Sequence, residues 1–308
     1  MEPIGDLGEF GLIARLGRRL PPGKAVELGP GDDAAVIAVS GGRVVATTDV
    51  LVEGRHFRRD WSSPYDVGRK AAAQNFADVV AMGARPTALL IGFAGPPDTE
   101  VAWAEGFADG LRDECELVGA GVAGGDTVSA PLLVLSITAL GELIGDRPLT
   151  RSGARPGDVV AVRGRLGWAA AGLELLGRGL WEPAGLIEAH RRPRPPYEAG
   201  AEALELGATS LLDVSDGLLQ DLGHVARASG VRIDLVAAAL EGLGPEVPGR
   251  LEYVLAGGED HAFAGTFPAA TPLSTGWTVV GRVLEGAGVV VDGSPRDLPG
   301  WDHFLGLT

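Results

Sequence analysis

Cysteine is almost absent from this sequence. Cys115 is the single one among 308 residues, which excludes an intramolecular disulfide and any metal site built from several thiolates. Lysine is nearly as scarce, with only Lys24 and Lys70, so an anionic ligand has to be met by arginine, backbone N–H groups or metal ions. No run of 18 apolar residues occurs, which excludes a spanning helix, and no membrane partner is expected. A basic surface is missing too. The formal net charge is −15, and the one positive cluster, His190-Arg191-Arg192-Pro193-Arg194, reads as a solvated face, so nucleic acid is not an expected partner. The acidic start Met1-Glu2-Pro3-Ile4-Gly5-Asp6 has neither the basic nor the apolar region of a signal peptide, and the expected compartment is the cytoplasm.

What is abundant is glycine, 48 residues gathered in short clusters beside acids, over a 45% apolar background that is ample for a core. The spacing predicts a helix over Glu9–Leu20, strands at Val36–Val39 and Arg43–Thr48, and a helix begun by Ser63 as N-cap and Pro64 and stopped by Gly83. A strand at Leu89–Phe93, a helix over Glu100–Val118 and a strand at Leu132–Leu140 follow. The turn-rich segments Gly145–Pro148 and Arg151–Asp158 mark a boundary. Beyond them come strands at Val159–Val162, Val231–Val236, Thr278–Leu284 and Val289–Val291, with helices over 167–176, 197–206 and 218–228. The expectation is two α/β (α+β) domains, 1–145 and 146–308.

Six acidic clusters punctuate these elements and read as turns or element ends: Gly31-Asp32-Asp33, Thr47-Thr48-Asp49, Asn75-Phe76-Ala77-Asp78, Gly124-Gly125-Asp126-Thr127, Asp213-Val214-Ser215-Asp216-Gly217 and Gly257-Gly258-Glu259-Asp260. Each alone is ordinary turn chemistry. Asp78 is the exception, because it falls mid-helix on the stripe of Val67, Ala71, Asn75 and Met82, where a carboxylate is costly to bury unpaired. It is either a structural acid bonded to a neighbouring loop or a ligand to a cation. Two carboxylates ~5 Å apart repel by roughly 3 kcal/mol at an effective dielectric of 20, so converging acids shift their pKa values or bind metal. Oxygen donors beside hydroxyls suit Mg²⁺, and Mg²⁺ completes its shell with water and phosphate oxygens, which points to phosphoryl transfer. Neither G-x-x-x-x-G-K-[ST] nor a G-x-G-x-x-G after a strand is present. Cys115 on the stripe of its helix reads as core, His224 as structural and Lys70 as a surface residue.

These clusters, taken in order with Gly8-Glu9-Phe10, Glu53-Gly54-Arg55-His56-Phe57, Leu149-Thr150-Arg151-Ser152-Gly153-Ala154 and the closing Trp301-Asp302-His303-Phe304, resemble the thiamine-monophosphate kinases of the aminoimidazole-ribotide-synthetase-like superfamily, over nearly the whole chain. The resemblance implies the two-domain synthetase-like kinase fold. Its N-terminal mixed sheet binds ATP and Mg²⁺ and pairs in a homodimer, and its C-terminal α+β domain completes the nucleotide and substrate site. It implies ATP-dependent phosphorylation of thiamine monophosphate to thiamine diphosphate, the last step in making that cofactor, by in-line transfer with several Mg²⁺ ions and ATP as co-substrate. Position by position it makes Asp33, Thr47, Thr48, Asp49, Asp78, Asp126, Asp213 and Asp216 metal ligands. Gly125, Asp126, Arg151 and Ser215 become nucleotide contacts, and His56, Glu259 and Trp301 become substrate contacts, with no covalent nucleophile or general base.

Two other readings compete. One is another ATP-dependent enzyme of the same superfamily that activates an oxygen or a selenide: an aminoimidazole-ribotide synthetase, a selenophosphate synthetase, which wants a reactive cysteine in a glycine-rich N-terminal loop, or a hydrogenase-maturation protein, which wants one at the C-terminus; Cys115 is neither of those cysteines. An acidic metal-buffering protein would carry D-x-[DN]-x-[DN]-G loops, and none is present.

Overall fold

The computed structural model describes residues 3, 6, 12, 15–20, 23–28, 36–39, 42–273, 276–298 and 300–301. Asp33, much of the helix expected over Glu9–Leu20 and the segment Asp302-His303-Phe304 lie outside the described residues. The chain divides into two units, Met1–Val79 with Ala84–Ile144, and Val80–Gly83 with Gly145–Thr308.

The first unit holds a short antiparallel pair, β1 (Val26–Leu28) and β2 (Val36–Ile37), and a four-stranded sheet. The strands of that sheet are β3 (Val44–Val52), β4 (Ala84–Gly95), β5 (Gly121–Ser129) and β6 (Val134–Leu143), in the order β3-β6-β4-β5. The β3–β6 and β6–β4 pairs are antiparallel and β4–β5 is parallel, so β3 and β5 are the two edges. Two helices, α1 (Pro64–Ala81) and α2 (Val101–Val118), belong to the same unit. Ser63 and Asp66 cap α1 reciprocally: the Asp66 carboxylate accepts from the Ser63 N–H at 3.0 Å and hydroxyl at 2.7 Å, and the Asp66 N–H donates back to Ser63 Oγ at 3.2 Å. The sheet is two-faced, as the alternation in β6 shows: Leu135, Ile137 and Ala139 are fully buried and Ser136, Thr138 and Leu140 are half-buried.

The two helices cross at bare backbone. A methyl group on Gly68 would sit 2.1 Å from the Phe107 carbonyl oxygen, and one on Gly110 would sit 2.2 Å from that of Tyr65. Around this crossing pack Phe57, Phe93, Trp103 and Phe107 with ring centroids 5.9–6.3 Å apart. Cys115 is fully buried on α2 and burial pushes its thiol up to about 12, which makes it inert core. The helix stripe expected over 100–118 is the one observed.

The second unit is built on a six-stranded sheet of β7 (Val159–Arg163), β8 (Ser210–Val214), β9 (Arg232–Leu235), β10 (Ala262–Phe267), β11 (Trp277–Leu284) and β12 (Gly288–Val291), ordered β12-β9-β11-β7-β10-β8. Its helices are α3 (Trp168–Gly177), α4 (Ala184–Arg191), α5 (Ala199–Glu205), α6 (Leu218–Ser229), α7 (Ala237–Leu240) and α8 (Arg250–Ala256). The core gathers Val160, Val162, Leu212, Leu222, Val225 and Ile233. The His190–Arg194 run is not a solvated face: His190 and Pro193 are buried and Arg191 and Arg192 half-buried, because α4 folds onto α3 and takes the run with it.

Gly110→Ala forces the α1–α2 crossing apart and should cost about 2 kcal/mol, an overpacking penalty. Urea denaturation of the purified variant checks this, and an unchanged midpoint would contradict the crossing.

Candidate active site

In the first unit, β3 and α1 bring three expected residues to one face. Thr47 and Asp49 are two apart on β3 and so share a face, about 7 Å apart along the strand. That face is the one of Ile137 and Ala139, their partners on β6, and it looks toward α1. Thr47 Oγ1 donates to Asp78 Oδ2 at 2.7 Å, so the mid-helix acid is met by a hydroxyl from the sheet. Asp49, half-buried, has no hydrogen-bond or ion-pair partner among the described residues. Thr48 points to the opposite face, where its Oγ1 donates to the Ile137 carbonyl at 3.1 Å and accepts from Thr138 at 3.0 Å.

The loop after β3 is tied to α1. His56 Nδ1 accepts the Val52 N–H at 2.9 Å, which in the neutral ring leaves the proton on Nε2. The His56 carbonyl accepts from Lys70 Nζ at 3.3 Å. Lys70 is 2% exposed, which corrects the expectation of a surface lysine: its stem lies in the core beside α1 and only its ammonium reaches a polar partner.

Gly124-Gly125-Asp126-Thr127 is not a turn but the middle of β5. Gly125 is required by the neighbouring strand, since a Cβ there would lie 2.0 Å from the Ile91 carbonyl oxygen. Asp126 is exposed and its Oδ1 accepts the Thr127 N–H at 2.9 Å. Register decides how it relates to Asp49. Asp49, Ile137, Ile91 and Gly125 form one row across the sheet, and Ser136, Gly92 and Asp126 belong to the next, so Asp126 projects to the face opposite Asp49. Three inter-strand spacings, about 14 Å, also separate the two edges. Within one chain the sheet keeps Asp126 and Asp49 apart.

In the second unit, five expected residues meet around the loop from β8 to α6. Asp213 is buried at the end of β8 and its Oδ2 lies 3.0 Å from His261 Nδ1. The Ser215 carbonyl accepts the Glu259 N–H at 2.8 Å, and the Val214 carbonyl accepts the His261 N–H at 3.1 Å. The Trp301 N–H donates to the Asp216 carbonyl at 3.0 Å, and Gln220 Nε2 donates to the Trp301 carbonyl at 3.0 Å. Asp213, Ser215, Asp216, Glu259 and Trp301 are thus joined directly. Arg151 is exposed and is linked to the group through His224: burial lowers the His224 pKa, Arg151 and Arg227 lower it further, and Asp216 opposes them.

Two acids to which the sequence reading gave no role, Asp221 and the cluster member Asp260, organise this unit. Asp221 Oδ2 accepts three successive N–H groups, from Ser215 at 3.1 Å, Asp216 at 3.0 Å and Gly217 at 3.1 Å. Burial, with Asp213 and Asp216 nearby, pushes its acid up to about 7 against the pull of those donors. The readable signal was an acid in the first turn of a helix. Asp260, fully buried and likewise raised by burial to about 7, accepts the N–H groups of Gly167 at 2.5 Å and Ala169 at 3.0 Å at the start of α3.

Among the described residues no group of three or more His, Cys, Asp or Glu side chains is close enough together to hold a metal ion. The donor set still fits Mg²⁺. Thr47, Asp49 and Asp78 offer only oxygens, Asp49 has an unsatisfied carboxylate on a half-buried face, and the one thiol is locked in α2.

Comparison with known proteins adds the following. Residues 31–143 match the family model described as AIR synthase related protein, N-terminal domain. A thiamine-monophosphate kinase of Mycobacterium tuberculosis is 49% identical over 316 residues, covering 98% of this chain and 93% of that protein. The crystal structure of thiamine-monophosphate kinase from Stenotrophomonas maltophilia superposes with a TM-score of 0.83 at 33% identity, covering 94% of this chain and 98% of that one. The structure of AaThiL complexed with AMPPCP and TMP superposes with a TM-score of 0.81 at 35% identity, covering 99% of both chains.

Asp221→Ala leaves three N–H groups without their acceptor and should cost about 3 kcal/mol. Asp221→Asn, which keeps an acceptor oxygen, should cost less. Thermal unfolding of both variants measures the difference, and equal loss in the two would rule out the acceptor role.

Proposed function

This chain belongs to the thiamine-monophosphate kinase family, and on that premise we propose that it transfers the γ-phosphoryl group of ATP to the phosphate of thiamine monophosphate, giving thiamine diphosphate and ADP. The observation that carries the reading is the oxygen-only face of Thr47, Asp49 and Asp78, which suits a hard cation such as Mg²⁺ with phosphate oxygens completing its shell. The acceptor oxygen belongs to a phosphate that is already an anion, so the chain needs neither a nucleophile nor a general base; an oxygen–phosphorus bond forms as the bond from γ-phosphorus to the β–γ bridging oxygen breaks, in line.

In the first unit Thr47, Asp49, Asp78 and Asp126, with Asp33 beyond the described residues, would hold Mg²⁺, and in the second Asp213 and Asp216; Thr48, whose hydroxyl lies on the other face and donates to the Ile137 carbonyl, leaves the expected set. Bound there, Mg²⁺ supplies neutralisation of phosphate charge. The chain's own residues supply placement. Gly125, Arg151 and Ser215 contact the nucleotide. His56 can donate from Nε2, Glu259 presents a carboxylate to the cationic or amino part of thiamine, and Trp301 offers it an aromatic face. ATP supply makes the cytoplasm the natural compartment, and no helix among the described residues is long and apolar enough to cross a membrane.

The working form is a homodimer in this reading. Val44, Val50 and Val128 are each about half exposed on the sheet of the first unit, whose two edge strands carry Asp49 and Asp126. Joining the β5 edge of one copy to the β3 edge of the other would bring Asp126 of one copy beside the strand that carries Asp49 of the other, where it can serve the same cation assembly. A second copy closing the sheet would cover the valines as well.

The function is tested by mixing the protein with ATP, Mg²⁺ and thiamine monophosphate: thiamine diphosphate should accumulate, and turnover of a different acceptor alone would reject the assignment. The shared site has its own test. Asp49→Ala and Asp126→Ala should each be inactive, and their equimolar mixture after subunit exchange should recover about a quarter of wild-type activity, because half the dimers are mixed and each has one intact site. No recovery in a mixture shown to have exchanged would mean that both acids serve their own chain.

A further inference from the structure

His190 belongs to the arginine-rich run that sequence reasoning set aside, and the function described above gives it no task. It is 5% exposed, near the C-terminal end of α4, and its Nδ1 lies 3.2 Å from Oε2 of Glu259. The Glu259 side chain is one-third exposed, so one side of the carboxylate is backed by a buried imidazole and the other faces solvent. An imidazole is a directional partner with a fixed ring plane, and a buried one cannot follow a wandering carboxylate.

The frame around the pair is closed. Glu259 sits in the left-handed region at φ 65°, which an L-residue adopts only when its surroundings hold it there, and its N–H is held by the Ser215 carbonyl at 2.8 Å. The next residue, Asp260, anchors the start of α3 through the N–H groups of Gly167 and Ala169. Helix α3 grips α4 where Gly172 lets the backbones touch: a Cβ on Gly172 would lie 2.0 Å from the Leu186 carbonyl oxygen and 3.2 Å from the His190 Cβ. Helix α4 then carries His190 back to Glu259. Loop, α3 and α4 therefore form a ring of contacts that starts and ends at this carboxylate, and a movement of any one of them is felt at the imidazole.

We infer that His190 is a positioning residue for the acceptor: by fixing the Glu259 carboxylate it sets the affinity for the positively charged heterocycle of the substrate, without touching the nucleotide. This rests on the reading of Glu259 as a substrate contact. A histidine that merely filled the α3–α4 interface would affect stability and leave acceptor affinity alone.

Steady-state kinetics and melting temperatures of His190→Ala, His190→Gln, Glu259→Gln and the two double variants decide it. His190→Ala should raise KM for thiamine monophosphate about tenfold, the size expected when a carboxylate loses the buried imidazole that backs it, with KM for ATP unchanged. His190→Gln, whose amide can still donate, should recover most of the loss. In the Glu259→Gln background neither substitution at His190 should add a further increase in KM, because the group it positions has lost its charge. Full additivity in that background, or a KM for thiamine monophosphate that does not move in His190→Ala, would overturn the inference. If the alanine variant does not fold, His190→Leu, which fills the space but carries no polar atom, takes its place alone and with Glu259→Gln, with the same tenfold rise expected and the same outcomes overturning the inference. A wild-type enzyme that fails to phosphorylate thiamine monophosphate would instead sink the proposed function, so the two failures are told apart.

Discussion

A carboxylate taken out of water has to be met by donors or by a cation, and this requirement sorts the acids of the chain. One set is satisfied by the protein and builds it. Asp66 caps α1, Asp158 accepts from the Arg155 N–H at 2.9 Å and the Thr209 hydroxyl at 2.7 Å, and Glu114, 1% exposed, pairs with Arg69 between α1 and α2. Asp221 and Asp260 take up backbone N–H groups at the starts of α6 and α3. A second set is held in place with oxygens to spare: Asp49 has no protein partner among the described residues, and Asp126 uses one oxygen on its own neighbour's N–H. The first set fixes helix starts and loops; the second set, on the two edge strands of the first unit's sheet, keeps carboxylate oxygens available to a cation.

The same requirement changes how the glycines beside the acids are understood. Read as sequence, Gly124-Gly125-Asp126 and Gly257-Gly258-Glu259 suggest backbone that approaches a ligand. In the folded chain Gly125 faces the Ile91 carbonyl, and a Cβ on Gly258 would lie 2.4 Å from the Ser215 carbonyl oxygen. These glycines report crowding between backbone segments. They bring the acid-bearing strand or loop close to its neighbour.

Where apolar spacing was strong, the sequence was readable. Helix α2 keeps its stripe of Ala104, Phe107, Leu111 and Cys115, and α1 begins at the Ser63-Pro64 pair and gives way to Gly83 at φ 68°. Besides the three-residue β1, three strands were not anticipated, for two physical reasons. The β5 sequence Gly-Val-Ala-Gly-Gly-Asp-Thr-Val-Ser has low strand propensity and is held by pairing along β4. β8 and β10 are buried at every position, so the alternation that marks a half-exposed strand is lost. Asp221 was legible in principle, since it meets N–H groups four to six residues away, whereas Asp260, Lys70 and His190 act through contacts distant in sequence. Lys70 meets a carbonyl fourteen residues away and Asp260 meets N–H groups more than ninety residues away. A single sequence has no local signal for such pairings.

The tetrapeptide Gly258-Glu259-Asp260-His261 concentrates the argument. Two of its residues, Glu259 and His261, lie in the left-handed region at φ 65° and 52°, at a cost of about 1–2 kcal/mol each. Ordinary extended backbone would alternate its side chains between two faces. This backbone aims three consecutive side chains at three separate partners: Glu259 at His190, Asp260 at the N–H groups of α3, and His261 at Asp213. The strain is therefore offset by three polar contacts and two main-chain bonds to the β8–α6 loop. Asparagine or glycine at 259 would relieve the conformation but remove the carboxylate, so the position keeps an unfavourable backbone for the sake of a charged side chain. That is the pattern expected where local strain serves ligand recognition and not folding.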